Sequence, residues 1–308
     1  MDISEALPIE RQQVFDTPAS PEHSPYRGFV AGIFSGAAKL TVGHPFDTVK
    51  VRMQTSSSAQ FRGPLDCLLK TIGKEGFRGL YKGATPPLVG WMFMDSIMLG
   101  SLANYRAAIK SGFYPYRDTL PPFGHGIAGI LAGWTVSFIA APIEHVKARL
   151  QIQYNAKFSK VGVKYSGPID CVKKLLNNHG VRGLYHGLGA TILFRTFFFF
   201  WWGSYDIITR QLEQKTNMTP MFVNFWAGGL SANLFWLFSY PSDVIKQRIM
   251  TDSLENRRFK SWREAATAIG RESGIRGYWR GFVPCIARAF PANAVALVAF
   301  EGAMRHLP

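Results

Sequence analysis

The sequence is short of cysteine and of acid. Its three cysteines, Cys67, Cys171 and Cys285, are odd in number and lack metal-ligand spacing. That argues against a disulfide framework or a cysteine-based metal centre and makes them small reduced fillers. No nucleophile–base constellation and no phosphate-binding glycine loop occurs, so neither an enzyme nor a cofactor is expected. The first 25 residues carry Asp2, Glu5, Glu10, Asp16 and Glu22. They fit neither a secretory signal nor an acid-poor, arginine-rich transit peptide, and residues 1–25 are expected to be a disordered tail. Acidic residues number 20 against 35 lysines and arginines, a formal net charge of +15.

Mean hydropathy is +0.01, but that average hides alternation. Apolar helical stretches run over about 29–52, 84–105, 122–150, 188–210, 222–248 and 282–304, each near the length that spans a hydrocarbon core. Gly, Pro and a few polar residues interrupt them, as suits a bundle around a wet cavity better than lone lipid-facing helices. Six consecutive aromatics, Phe197 to Trp202, would be costly on a soluble surface. The basic residues gather between the two spans of each pair, as in Lys70, Lys74, Arg78 and Lys82, which places those connections on one side of a membrane. The charge is therefore read as apposition to anionic lipid and solute, with no nucleic-acid partner expected.

The chain is one unit written three times. Pro45-Phe46-Asp47-Thr48-Val49-Lys50-Val51-Arg52, Pro142-Ile143-Glu144-His145-Val146-Lys147-Ala148-Arg149 and Pro241-Ser242-Asp243-Val244-Ile245-Lys246-Gln247-Arg248 share a frame and stand 97 and 99 residues apart. Repeats are expected over 26–112, 121–213 and 219–306. Thirteen residues before each proline stands a glycine: Gly32, Gly129 and Gly228. Gly36, Gly133 and Ala232 follow one turn on, giving each first helix a face for close approach. Phe61-Arg62-Gly63-Pro64-Leu65-Asp66-Cys67 and Tyr165-Ser166-Gly167-Pro168-Ile169-Asp170-Cys171 open short amphipathic interfacial helices, and Phe259 to Ala265 reads as a degraded third copy. Tyr81-Lys82-Gly83, Tyr185-His186-Gly187 and Trp279-Arg280-Gly281 start the second span of each repeat. Free N–H groups at these helix starts are candidate sites for lipid phosphate, at Gly63, Gly83, Gly167, Gly187 and Gly281.

A proline within a span removes a backbone hydrogen bond and kinks the helix. Acid and lysine three apart share a helix face, so a threefold bundle can pair each acid with the lysine of a neighbouring repeat. A closed ring of charge at one end is expected from Asp47, Lys50, Glu144, Lys147, Asp243 and Lys246.

These frames, with the glycines and the aromatic-basic-glycine starts, resemble the mitochondrial carrier family over residues 26 to 306. The resemblance implies an all-α membrane protein: six transmembrane helices in three tandem repeats with threefold pseudosymmetry, and three short matrix helices. It further implies a monomer in the mitochondrial inner membrane, bound cardiolipin, and alternating access to one central site, with the ring as matrix gate. Gln54 and Gln151 match the family's brace beneath that ring, where the third repeat has Met250. Arg106, Asp206 and Glu301 match a weaker cytoplasmic gate, with Thr209 and Met304 where further bases are expected.

Substrate contacts in the family lie seven and eight residues after the glycine that opens each even span: here Gly90 and Trp91, Phe194 and Arg195, and Arg288 and Ala289. Asp95 lies one turn beyond Trp91, and Lys39 six residues before Pro45. Gly187 to Asp206 is one residue shorter than Gly281 to Glu301, so the helix around Arg195 is expected to be bulged or rotated. Two arginines and a lysine against one aspartate make a positive midplane, suited to a carboxylate. The first expectation is thus transport of a di- or tricarboxylate or keto acid. The alternatives are an amino-acid or acylcarnitine carrier, because residues 42 to 54 resemble that branch, and a non-transporting scaffold or proton-leak protein on the same fold.

Overall fold

The computed structural model describes residues 25–56, 60–153 and 165–306, and the expected N-terminal tail lies outside them but for Pro25. Among the described residues there is no strand. Repeat 1 holds α1 (Pro25–Thr55), α2 (Pro64–Glu75), a 3-10 turn (Phe77–Tyr81) and α3 (Thr85–Phe113). Repeat 2 holds α4 (Pro122–Ile152), α5 (Pro168–Leu184), α6 (Leu188–Thr196) and α7 (Phe198–Lys215). Repeat 3 holds α8 (Pro220–Met250), α9 (Trp262–Gly277) and α10 (Phe282–His306). By length and composition alone, only α4 qualifies as a span among the described helices. The other long helices mix apolar with small and ionic residues.

Two compact units form. One joins the chain up to Val42 with Phe290 onward, and the other is Gly43–Ala289. In the first, the Ser35 hydroxyl donates to the Ala296 carbonyl at 2.9 Å, tying the first half of α1 to the middle of α10. In the second, α4 packs on α3, α6 and α7, and α8 packs on α6, α7 and α9. The approach expected of Gly129 and Gly133 is realised in α4. A Cβ at Gly129 would stand 2.5 Å from the Trp202 ring, and one at Gly133 3.0 Å from the Arg195 carbonyl. Within the same unit, Gly228 meets no such neighbour.

The missing residue between Gly187 and Asp206 appears as a break. The Phe197 N–H donates to the Phe194 carbonyl at 3.2 Å, and the Phe200 N–H to Phe197 at 3.0 Å, both i to i−3. A 3-10 step rises about 2.0 Å per residue against about 1.5 Å in an α-helix, so a tightened turn recovers length lost to a deletion.

The three short helices start alike, including the copy that reads as degraded. The Asp66 carboxylate accepts from Arg62 N–H at 3.0 Å and that of Asp170 from Ser166 N–H at 2.9 Å. Glu264 accepts from Lys260 N–H at 2.6 Å, while Ser261 at the cap accepts from Glu264 N–H at 3.2 Å, a variant of the capping box in which the acid reaches the N–H one residue before the cap. The third repeat thus keeps the acid and replaces Gly-Pro with a capping serine. Cys67 and Cys171 are fully buried behind these helices, and burial pushes both thiols up to about 11.

Candidate functional site

The three proline frames come together in the Gly43–Ala289 unit. α1, α4 and α8 run helical through Pro45, Pro142 and Pro241 and carry their acids and lysines to one level. Lys50 lies 2.8 Å from Asp243, Lys147 2.8 Å from Asp47, and Lys246 3.0 Å from Glu144. Each lysine thus bonds the acid of another repeat, and the order closes on itself. Lys246 also stands 3.2 Å from Asp243 of its own helix. Aromatic faces flank two of the ammonium groups, with Lys50 4.1 Å from the Trp236 ring centroid and Lys246 4.0 Å from that of Phe194. Such contacts favour a cation where water is scarce. The spacing of charges carries no sign of these two aromatics.

Gln54 donates to Asp243 at 2.9 Å and so supports the Lys50 pair. Gln151, at the equivalent position, does not reach the ring. Its amide donates to Thr48 Oγ1 at 3.3 Å, and Thr48 in turn donates to the Leu80 carbonyl at 2.7 Å. The expectation of two braces is therefore corrected to one. Met250, in the third position, packs against Gly187.

The two expected substrate arginines are both bonded to ring acids. Arg288 lies 2.6 Å from Asp47 Oδ1, while Lys147 holds Oδ2. Arg195 lies 2.7 Å from Glu144 Oε1, while Lys246 holds Oε2. Two of the three ring acids thus carry an arginine and a lysine on separate oxygens. The two arginines differ in access: the Arg288 side chain is 27% exposed and that of Arg195 9%, its guanidinium 5.2 Å from the Phe198 ring. Gly90 is buried, and a Cβ there would stand 2.9 Å from Ile143, so the glycine lets α3 lie close to α4. Asp95 and Lys39 are both exposed, on α3 and on α1. The Trp91 side chain lies outside the described residues.

At the other end of the helices, Asp206 bonds Arg210 at 2.9 Å on its own helix and stands 3.5 Å from His125. Arg210 takes the place of the base expected at Thr209, one residue on, and its i,i+4 spacing from Asp206 was the available signal. The Arg106 guanidinium lies 4.9 Å from the Trp202 ring. The Glu301 side chain lies outside the described residues.

The glycines that open the even helices sit at ring level. Gly83, Gly187 and Gly281 have φ of 75°, 91° and 84°, a left-handed conformation that glycine adopts without penalty. A Cβ would stand 2.9 Å from the Lys147 carbonyl at Gly83, 2.8 Å from Met250 Cγ at Gly187, and 3.0 Å from the Lys50 carbonyl at Gly281. Each therefore seats an even helix against the odd helix of another repeat. The preceding bases reinforce two of these joints. Lys82 donates to the Gln153 carbonyl at 2.8 Å, and Arg280 donates to those of Ser56 and Phe61 at 2.9 and 3.1 Å. Gly63 and Gly167 instead have extended backbones and open space where a Cβ would go.

Outside the spans, Arg52 makes a two-pronged contact with Glu75 at 2.8 and 2.9 Å, and Lys82 adds a third bond at 2.6 Å. Burial raises the Glu75 carboxyl, but the hydrogen bonds from Arg52 and Lys82 outweigh it and hold the group below its ordinary value. In repeat 3 Arg248 bonds Glu272 at 2.7 Å. Repeat 2 has His179 at the position of Glu75, and Arg149 bonds the Asp252 carbonyl at 2.7 Å and the His145 ring at 2.6 Å.

The model of the family described as mitochondrial carrier protein matches three times, over residues 21–112, 118–216 and 217–308. The mitochondrial substrate carrier family protein L of Dictyostelium discoideum is 42% identical over 289 residues, covering 92% of this chain and 96% of that protein. The mitochondrial basic amino acids transporter of Bos taurus is 36% identical, covering 86% of this chain and 87% of its own length. The mitochondrial glycine transporter YMC1 of Saccharomyces cerevisiae is 34% identical, covering 99% of this chain and all of that protein. Three consecutive repeats and relatives aligned over most of both lengths place the conclusion beyond fold alone: this chain belongs to the mitochondrial carrier family.

Proposed function

We propose that this carrier moves an α-amino acid across the mitochondrial inner membrane by alternating access, with the ion-pair ring of α1, α4 and α8 as its matrix gate. The observation that carries the amino-acid reading is the pairing of Arg288 with Asp47. The site offers a cation and an anion side by side, the complement of a zwitterion, and the transporters of basic amino acids and of glycine named above support the same class.

This replaces the carboxylate expected from charge counting. Arg195 and Arg288 each bond a ring acid, Glu144 and Asp47, that a lysine bonds as well, so an acid stands beside each arginine and neither is an isolated cation. The open helix starts at Gly63 and Gly167 are the places proposed for lipid phosphate. Exchange of radiolabelled neutral, basic and acidic amino acids, di- and tricarboxylates and acylcarnitines by the protein in liposomes tests the reading. Amino acids are expected to exchange; exchange of carboxylates alone would overturn it.

A further inference from the structure

We infer that repeat 2 binds a free phosphate ion outside the spans, between Arg149 and His186, in the place that the Glu75 carboxylate takes in repeat 1. The site stands whatever solute the carrier moves.

The three repeats define it by comparison. In repeat 1 Arg52 grips the Glu75 carboxylate at 2.8 and 2.9 Å, and Lys82 adds a bond at 2.6 Å. In repeat 3 Arg248 reaches Glu272 at 2.7 Å, one residue before the aligned Ser273. In repeat 2 the residues aligned with Arg52, Glu75 and Lys82 are Arg149, His179 and His186, and the residue before His179 is Asn178. The backbone there is that of repeat 1. Gly76 and Gly180 turn the chain with φ of 68° and 61°, and Gly79 and Gly183 lie against the Cβ atoms of Glu75 and His179. The acid is thus replaced in a joint of unchanged shape.

Arg149 is half-buried, and among the described residues no acid pairs with it. Its guanidinium bonds the His145 ring at 2.6 Å, the Asp252 carbonyl at 2.7 Å and Tyr165, which leaves N–H donors over. The Asp252 carboxylate is turned instead to the N–H groups of Arg258 and Phe259, at 2.8 and 3.1 Å. A guanidinium in this position is matched by a ligand with anionic oxygens.

His186 sets which anion. It is 8% exposed, and its Nε2 has no hydrogen-bond partner, a costly state for a buried polar atom. Its ring lies 5.8 Å from that of His145, the ring that Arg149 bonds. His145 accepts from Arg149 through Nε2, so its Nδ1 carries the proton and donates to the Leu184 carbonyl at 3.0 Å. Burial, with the charges of Arg149 and Arg257, holds His186 below its ordinary value against the opposing Ile249 carbonyl and Asp252. The His186 ring is therefore neutral, its Nδ1–H goes to the Ile249 carbonyl, and Nε2 is left as an acceptor. Arg149 asks for an anionic oxygen and His186 for an O–H. Phosphate near neutral pH carries both on one atom, whereas sulfate, a carboxylate and a lipid phosphodiester carry the charge without the proton.

The full chain in detergent is melted in phosphate, sulfate and acetate, each against chloride at equal ionic strength and neutral pH. In wild type, phosphate should raise the melting temperature saturably, by about 2 °C or more at about ten times its Kd, and bind at least about threefold tighter than sulfate. His179→Glu gives Arg149 an internal carboxylate, so the variant should melt above wild type in chloride and lose the phosphate response. His186→Lys restores the base of repeat 1 and should bind sulfate as well as phosphate. Absence of a saturable phosphate effect in wild type overturns the site, as does a response undiminished in His179→Glu. Should His179→Glu not fold, Arg149→Gln must lose the response, and a retained one overturns the site equally. Stabilisation by added cardiolipin that His179→Glu abolishes, with none from phosphate, would give the joint to a lipid headgroup and overturn the free ion.

Discussion

Lys246 and Glu144 lie 3.0 Å apart, joining α8 to α4, and the same ammonium stands 3.2 Å from Asp243. One lysine therefore serves two of the three ring acids, and the ring is chemically unequal despite the near-identity of its frames. Lys147 bonds Asp47, and that acid keeps Arg288 if the lysine is lost.

This inequality ranks the lysines. Lys246→Ala withdraws a cation from two acids at once, and breaking a buried ion pair costs about 3–5 kcal/mol. Its melting temperature in detergent should fall below that of Lys147→Ala. An equal or smaller loss would mean that Arg195, Lys50 and Gln54 already satisfy both acids.

The glutamines separate in the same way. Gln54→Ala removes the bond to the Asp243 carboxylate, worth about 1.5–3 kcal/mol, and should loosen the proposed gate enough to speed unidirectional leak through liposomes. Gln151→Ala removes a bond to Thr48 and should leave that leak unchanged. Equal effects of the two variants would contradict a single brace.

The three ring-level glycines should respond unequally to alanine. A left-handed residue with a Cβ costs about 1–2 kcal/mol at each. At Gly83 and Gly281 the new Cβ also meets a backbone carbonyl of another repeat, whereas at Gly187 it meets Met250 Cγ, a side-chain atom that a change of rotamer can shift. Gly187→Ala should therefore be the mildest of the three in thermal melting. A Gly187 variant as damaged as the other two would show that conformational strain, not the neighbouring carbonyl, sets the cost.

Glu75 gives the protein an acid-sensitive joint. Its carboxyl is held below its ordinary value, so the ionised form is favoured more in the folded chain than in the unfolded one. That stabilisation is complete above the unfolded value of about 4.3 and disappears as pH falls through the folded value. The melting temperature of wild type should drop more steeply below about pH 5 than that of Glu75→Gln, which carries no titrating group there. At pH 7 the variant should already be less stable, because Arg52, 1% exposed, loses the carboxylate it grips. Parallel acid profiles would remove Glu75 from the account.

Much of the fold was legible because its signals are local and repeated. Prolines, glycines and apolar stretches recur at near-constant spacing and mark long helices whose ends fall within a few residues of the observed ones for four of the six; α3 runs eight residues past the expected end at 105. The fourth was expected to bulge or rotate around Arg195 and instead tightens into a 3-10 turn at Phe197, because one missing residue shows in a count while the place and sense of the distortion depend on packing. The degraded start of α9 was misjudged because pattern matching looks for Gly-Pro, whereas capping needs only an acceptor at the cap and an acid three residues on.

The sequence by itself determined the threefold repeat, the all-helical membrane architecture and which six residues could form a ring, because each follows from periodicity along one chain. Only the tertiary structure decided who pairs with whom. Arg288 and Asp47 are 241 positions apart, and Arg195 and Glu144 are 51. A charge count treats such groups as independent, whereas two charges a few ångströms apart cancel one another's field. That pairing set an acid beside each arginine, so a site that read as cationic alone presents both signs.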